Sequence, residues 1–162
     1  MSKIIWLFSV FFVAVACQSQ VATLADPDKM EEVAAKGAEV MPFDLERTTH
    51  IFEKQANGGV QQVISDDRDS AQIELIRSHL AEEAERFGEG DFHDPEMIHG
   101  ENMAGLHQLM TGYQDITMEY SDIEHGAQII YTSDRADLVT AIHAWFEAQV
   151  SDHGPHAQDS RP

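Results

Sequence analysis

The sequence predicts an α+β domain: two ββα repeats that form a four-stranded antiparallel sheet with both helices on one face. Three observations predict it. Residues 48–85 and 116–151 align as two copies of one unit: Gly59-Val60-Gln61 answers Gly126-Ala127-Gln128, and Asp67-Arg68 answers Asp134-Arg135. After one deleted residue, Ile76-Arg77-Ser78-His79-Leu80 answers Ile142-His143-Ala144-Trp145-Phe146. Each copy opens with strand-like stretches around a turn, and each closes with an apolar stripe at helical spacing. Neither copy can satisfy its own sheet edge or cover its own apolar face, so the two should pack as one domain.

The elements follow in order. Lys3 precedes an apolar run, Ile4 to Ala16, broken by Ser9. It is short for a membrane span and ends in the small residues Ala14-Val15-Ala16, the layout of a secretory signal peptide over residues 1–16. Cys17, the only cysteine, follows directly. That placement resembles a bacterial lipobox, in which the thiol is acylated. Alanine stands at the third position before Cys17, where leucine is typical, so plain signal-peptidase cleavage is the alternative. With Gln18 next, an acylated chain is expected to be an outer-membrane lipoprotein, facing the periplasm. Residues 17–40 are polar and small and read as a tether with at most a turn or two of helix.

The domain is expected over 41–153. Thr48 to Glu53 and Val60 to Ser65 form the first hairpin around Asn57-Gly58-Gly59, which supplies positive φ cheaply. A helix is predicted over about Asp69 to Phe87, with Ile73, Ile76, Leu80, Ala84 and Phe87 on one stripe. In the second hairpin Ile116, Met118 and Tyr120 share a face. The second helix, about Ala136 to Val150, is expected to bury Leu138, Val139, Ile142, Trp145, Phe146 and Val150. Residues 154–162 read as a disordered tail. Phe52, Val63 and Ile130 are placed on the uncovered sheet face, which predicts pairing there with a second copy of the chain.

Composition excludes several functions. The formal charge is -19, so nucleic acid and anionic lipid headgroups are repelled. The membrane is reached only through a lipid anchor at Cys17. There is no phosphate loop and no Gly-x-Ser-x-Gly elbow, and the acid pairs Asp66-Asp67 and Glu82-Glu83 read as solvated faces. An enzyme of unknown type stays open, with Asp152-His153 or His93-Asp94 as general acid–base candidates, but neighbours in sequence rarely face each other.

Between the copies lies an unduplicated stretch, 90–115, in which His93, His99 and His107 alternate with Met97 and Met103. A short helix is expected from Met103 to about Tyr113, capped by Asn102, with Met103, His107 and Met110 on one side. Met41-Pro42-Phe43-Asp44-Leu45, Thr48-Thr49-His50, Leu75-Ile76-Arg77-Ser78-His79-Leu80, Ile98-His99-Gly100 with Met103, His143-Ala144-Trp145-Phe146 and Ser151-Asp152-His153 carry a resemblance. In these motifs the chain resembles a group of small, poorly characterised bacterial proteins, some of which bear the label aspartate carbamoyltransferase. A carbamoyltransferase chain is far longer and has a Ser-Thr-Arg-Thr phosphate loop that this sequence lacks. The resemblance therefore implies a set of matched residues rather than that reaction. Ala104 departs from it, standing where the group has proline.

The matched residues are His50, His79, His99, His143, His153 and Met103. Imidazole with thioether suits copper, and an exported protein meets copper and zinc. The expected function is an exported transition-metal-binding protein, with copper as the first metal and zinc the alternative. Two other readings stand beside it. One is a non-covalent haem or small-ligand module using His99 and Met103 as an axial pair. The other is an interaction or structural domain that binds no metal. Each histidine also has a structural role open to it: His79 and His143 flank an apolar stripe, and His153 falls near a helix C-terminus.

Overall fold

The computed structural model describes residues 26–159, so the signal-peptide reading and Cys17 lie outside the described residues. The chain is α+β, as the sequence predicts, but the sheet is five-stranded and mixed. Its elements are α1 (Pro27–Val40), β1 (Thr48–Gln55), β2 (Gly58–Ser65), α2 (Ser70–Gly88), α3 (His93–His99) and α4 (Leu106–Gly112). β3 (Thr117–Ile123), β4 (Gly126–Thr132), α5 (Ala136–His153) and β5 (Ala157–Gln158) follow. The strand order is β3-β4-β2-β1-β5. The first four strands pair antiparallel, and β5 adds a parallel edge with Ala157 beside His50.

Three expectations are corrected. The tether contains a full helix, α1. Asp26 caps it, accepting from the Asp28 backbone N–H, and Pro27 opens it. Val33 and Gly37 are buried on it, and the helix packs on α3 and α5. The tail is ordered through residue 159, forming a 3-10 turn at Gly154–His156 and then β5. Phe52 and Val63 face the helices inside the core, while Ile130 alone of the three stays on the open face, half-buried. Alternation sorts a strand's side chains into two faces without saying which of them the helices cover. The apolar case for a second copy on that face loses two of its three residues.

The helices are exchanged between hairpins. α2 follows β1–β2 but lies mainly across β3 and β4, and α5 follows β3–β4 but lies across β1 and β2. Each helix also caps the turn of the hairpin it covers. Arg77 on α2 donates to the Ile123 and Gly126 carbonyls at 2.8 and 3.1 Å. His143 on α5 donates from Nε2 to the Gln55 and Gly58 carbonyls, both at 2.9 Å. Gly58 and Gly126 open the paired central strands. A Cβ on either would fall 1.9 Å from the Tyr131 or the Val63 carbonyl oxygen, so neither place admits a side chain.

Trp145 anchors the core. It meets Phe87, Phe92 and Tyr131 edge-on, with centroids 5.6–6.4 Å apart. Edge-to-face contacts add to the stabilisation from area buried. The N-terminal part of the unduplicated stretch forms α3, a helix that the sequence does not predict. α4 begins at Leu106 behind Gly105, later than expected, and Asn102 does not cap it. Leu106 and Leu109 bury into the core and His107 is exposed, so the expected stripe is turned around the helix.

Candidate functional site

Four of the six matched residues meet at one small cavity. His50, His79, His99 and His153 all line it, on β1, α2, α3 and α5. His50 faces inward because it alternates with Ile51, and it lies between Phe43 and Phe52, parallel to the Phe52 ring. His99 is the last residue of α3, and His153 is the last residue of α5, inside the helix rather than past it. The His153 ring stacks on His50 with centroids 5.0 Å apart and meets His99 edge-on at 5.0 Å. His79 approaches from the far wall, edge-on to Phe43.

Carboxylates stand behind two of these rings. Asp152 Oδ2 lies 2.9 Å from His99 Nδ1, and both side chains are almost fully buried. Asp152 Oδ1 is held by Lys29 of α1 at 2.8 Å. Burial opposes the Asp152 charge, but the bonds from His99 and Lys29 outweigh it, and its pKa falls below the usual carboxylate value. An anionic Asp152 orients His99 by accepting from its Nδ1–H, the arrangement found behind metal-bound histidines. Glu83, one turn after His79, lies 3.5 Å from its Nε2. Burial works against charge on His79, but Glu83 and neighbouring acids raise its pKa.

His50 and His153 are the opposite case. Burial pushes the His50 pKa down to about 4, against a bond to the His156 backbone that favours its charged form. Burial and the neighbouring imidazoles push His153 well below its ordinary value. Both rings are therefore neutral at pH 7, the form that ligates metals.

The cavity contains the unmet polar groups. Among the described residues three buried side-chain atoms have no hydrogen-bond partner: His50 Nδ1, Trp145 Nε1 and Gln149 Oε1. All three belong to residues that line this one space. An orphaned buried polar atom costs about 1–3 kcal/mol. A water can meet all three, whereas a cation is met by His50 Nδ1 and Gln149 Oε1 but not by the Trp145 N–H, which only donates. The cavity measures about 30 Å³. That is room for one or two waters or an ion, and far too little for a porphyrin. Among the described residues no three His, Cys, Asp or Glu side chains already converge on one point as ligands. Metal binding here requires the imidazoles to turn toward one another.

Two matched residues lie elsewhere. Met103 is packed in the core and does not line the cavity, so His99 and Met103 form no axial pair. His143 caps the β1–β2 turn, so its structural role prevails. Met41, Glu83, Gln149 and Asp152 are cavity or supporting residues that sequence reasoning missed. Glu83 carried a signal, its spacing of four from His79, yet it reads as one of a solvated acid pair. Asp152 adjoins His153 in sequence but bonds across the fold to His99. His93 and His107 are exposed, and His125 and His156 are only partly buried.

Compared with protein-family models, with curated proteins and with solved structures, the chain finds no match.

Proposed function

We propose that the protein is an exported transition-metal binder that holds its ion in the four-histidine cavity. His50, His99 and His153 are the imidazole donors, and His79 with Glu83 forms the facing wall. Met41 supplies the thioether that the sequence reading sought in Met103, which keeps copper first and zinc the alternative. The observation that carries the reading is the meeting of four histidines at one cavity, with His50 Nδ1 buried there and unpartnered. Two neutral imidazoles and a carboxylate-oriented third support it. Export, a periplasm-facing location and acylation of Cys17 are part of the proposal and rest on the N-terminal sequence. Membership of the bacterial group is proposed as well, because four of its histidine motifs meet at one place.

Elemental analysis of tag-free protein recovered from the periplasmic and membrane fractions tests the reading. About one copper or zinc per chain is expected, lost in His99→Ala and retained in His156→Ala. A metal-free protein that also fails to take up either ion tighter than micromolar would leave the interaction-domain reading standing.

The two hairpin–helix units are also proposed to be copies of one ancestral unit. The matched roles of Arg77 and His143, aligned in sequence and each capping the other unit's turn, support this.

A further inference from the structure

A second, larger concavity adjoins the cavity. It measures about 470 Å³ and opens between α1, the turn at Leu45–Arg47 and the turn at Gly154–His156. His50, His153 and Phe43 line both spaces. The volume suits a small organic molecule rather than an ion. Met30, Val33, Phe43, Leu45 and Pro155 make its walls largely apolar.

The charged residues of the lining have one sign. They are Glu31, Asp44, Glu46 and Asp152, with no lysine or arginine among them. An anion entering this space would give up water and meet carboxylates; a cation would exchange water for attraction. Asp152 already holds one ammonium, that of Lys29, at 2.8 Å, although the Lys29 side chain remains 44% exposed. A half-exposed lysine on a buried carboxylate marks a place where an ammonium is stable and can be exchanged. His50 also borders the pocket: it is 4% exposed, its Nδ1 has no partner, and it stands in the wall shared with the small cavity.

We infer that this pocket binds a small organic cation, an amine with an apolar body, its charged head at Asp152 and its body along α1. Lys29 is the built-in competitor for the head position. The inference needs no metal in the adjoining cavity, although the two spaces share His50 and His153 and Asp152 also bonds His99.

Calorimetric titration of the full, chelator-treated chain with tryptamine and with indole-3-acetate tests it. The two probes share a ring system and carry opposite charge. Tryptamine is expected to bind saturably, and indole-3-acetate about tenfold more weakly or not at all. Ala34 lines the pocket from the exposed side of α1, so Ala34→Trp fills the space without touching the core. That variant should lose tryptamine while keeping the wild-type melting curve and metal uptake. Lys29→Ala, which frees Asp152 Oδ1, should tighten tryptamine about threefold. Equal affinity for both probes, tryptamine binding that survives Ala34→Trp, weaker binding in Lys29→Ala, or no binding at millimolar tryptamine would each overturn the inference. Metal uptake by a chain that ignores tryptamine would leave the metal reading intact, and the reverse result would leave the pocket intact.

Discussion

Two histidines on α5 face opposite fates. His143, near the middle of the helix, spends one ring nitrogen on two turn carbonyls and holds a hairpin in place. His153, at the helix end, stacks on one imidazole and touches another edge-on, beside buried atoms that lack partners. Both are singled out by the sequence, His143 as a flank of the apolar stripe and His153 near the helix C-terminus. The difference lies in what each ring meets: backbone acceptors satisfy the first, and other imidazoles surround the second. A histidine's company, rather than its identity, separates a structural role from a binding one.

The comparison can be broken at several levels. The largest effect expected is on the exchanged helices. Residues 48–88 alone leave α2 without the β3–β4 hairpin it covers, and β1–β2 without α5. Such a fragment should show no cooperative melt, and independent two-state unfolding would contradict the exchange. Trp145→Ala removes the aromatic anchor of α5 and should cost roughly 3–5 kcal/mol in chemical denaturation. A loss under 1 kcal/mol would mean that the core closes without it. His143→Ala should cost less, about 1–3 kcal/mol, from carbonyls left unpaired at the turn. It should leave metal affinity unchanged.

The pH dependence sharpens the same contrast. His50 titrates near 4 in the fold and near its ordinary 6.5 when unfolded, so the unfolded chain takes up its proton first. Stability should therefore fall as pH drops from about 6.5 toward 4, and His153, also depressed, acts in the same direction. His79, raised by Glu83, acts oppositely: its contribution is complete below its unfolded pKa and fades as pH rises through its folded value. Two depressed groups against one raised group give net destabilisation on acidification. Denaturation midpoints from pH 7 to pH 4 check this, and His50→Gln should flatten the curve. A midpoint that rises on acidification would contradict the buried, neutral state of these rings.

The sequence carried the hairpins and the two long helices because their period-two and period-3.6 patterns are strong. It missed α1, whose Glu, Lys and Ala read as solvated linker although Asp26-Pro27 is a good helix start; packing of Val33 and Gly37 holds that helix. β5 has two residues, too few to show a pattern. Phe52 and Val63 were placed on the wrong face because alternation gives two faces without saying which one the helices cover. For the site, four of the six residues singled out from the sequence line one cavity, but spacing could not tell that His143 meets carbonyls or that Met103 turns into the core. Asp152 could not be paired with His99 from sequence, since that contact crosses the fold.

The most direct test is the metal affinity of His153→Ala set against that of His143→Ala, by competition titration at pH 7. The account predicts a loss of about tenfold or more in His153→Ala, about 1.4 kcal/mol, with wild-type affinity in His143→Ala. Equal affinities in the two variants, or a loss confined to His143→Ala, would contradict it.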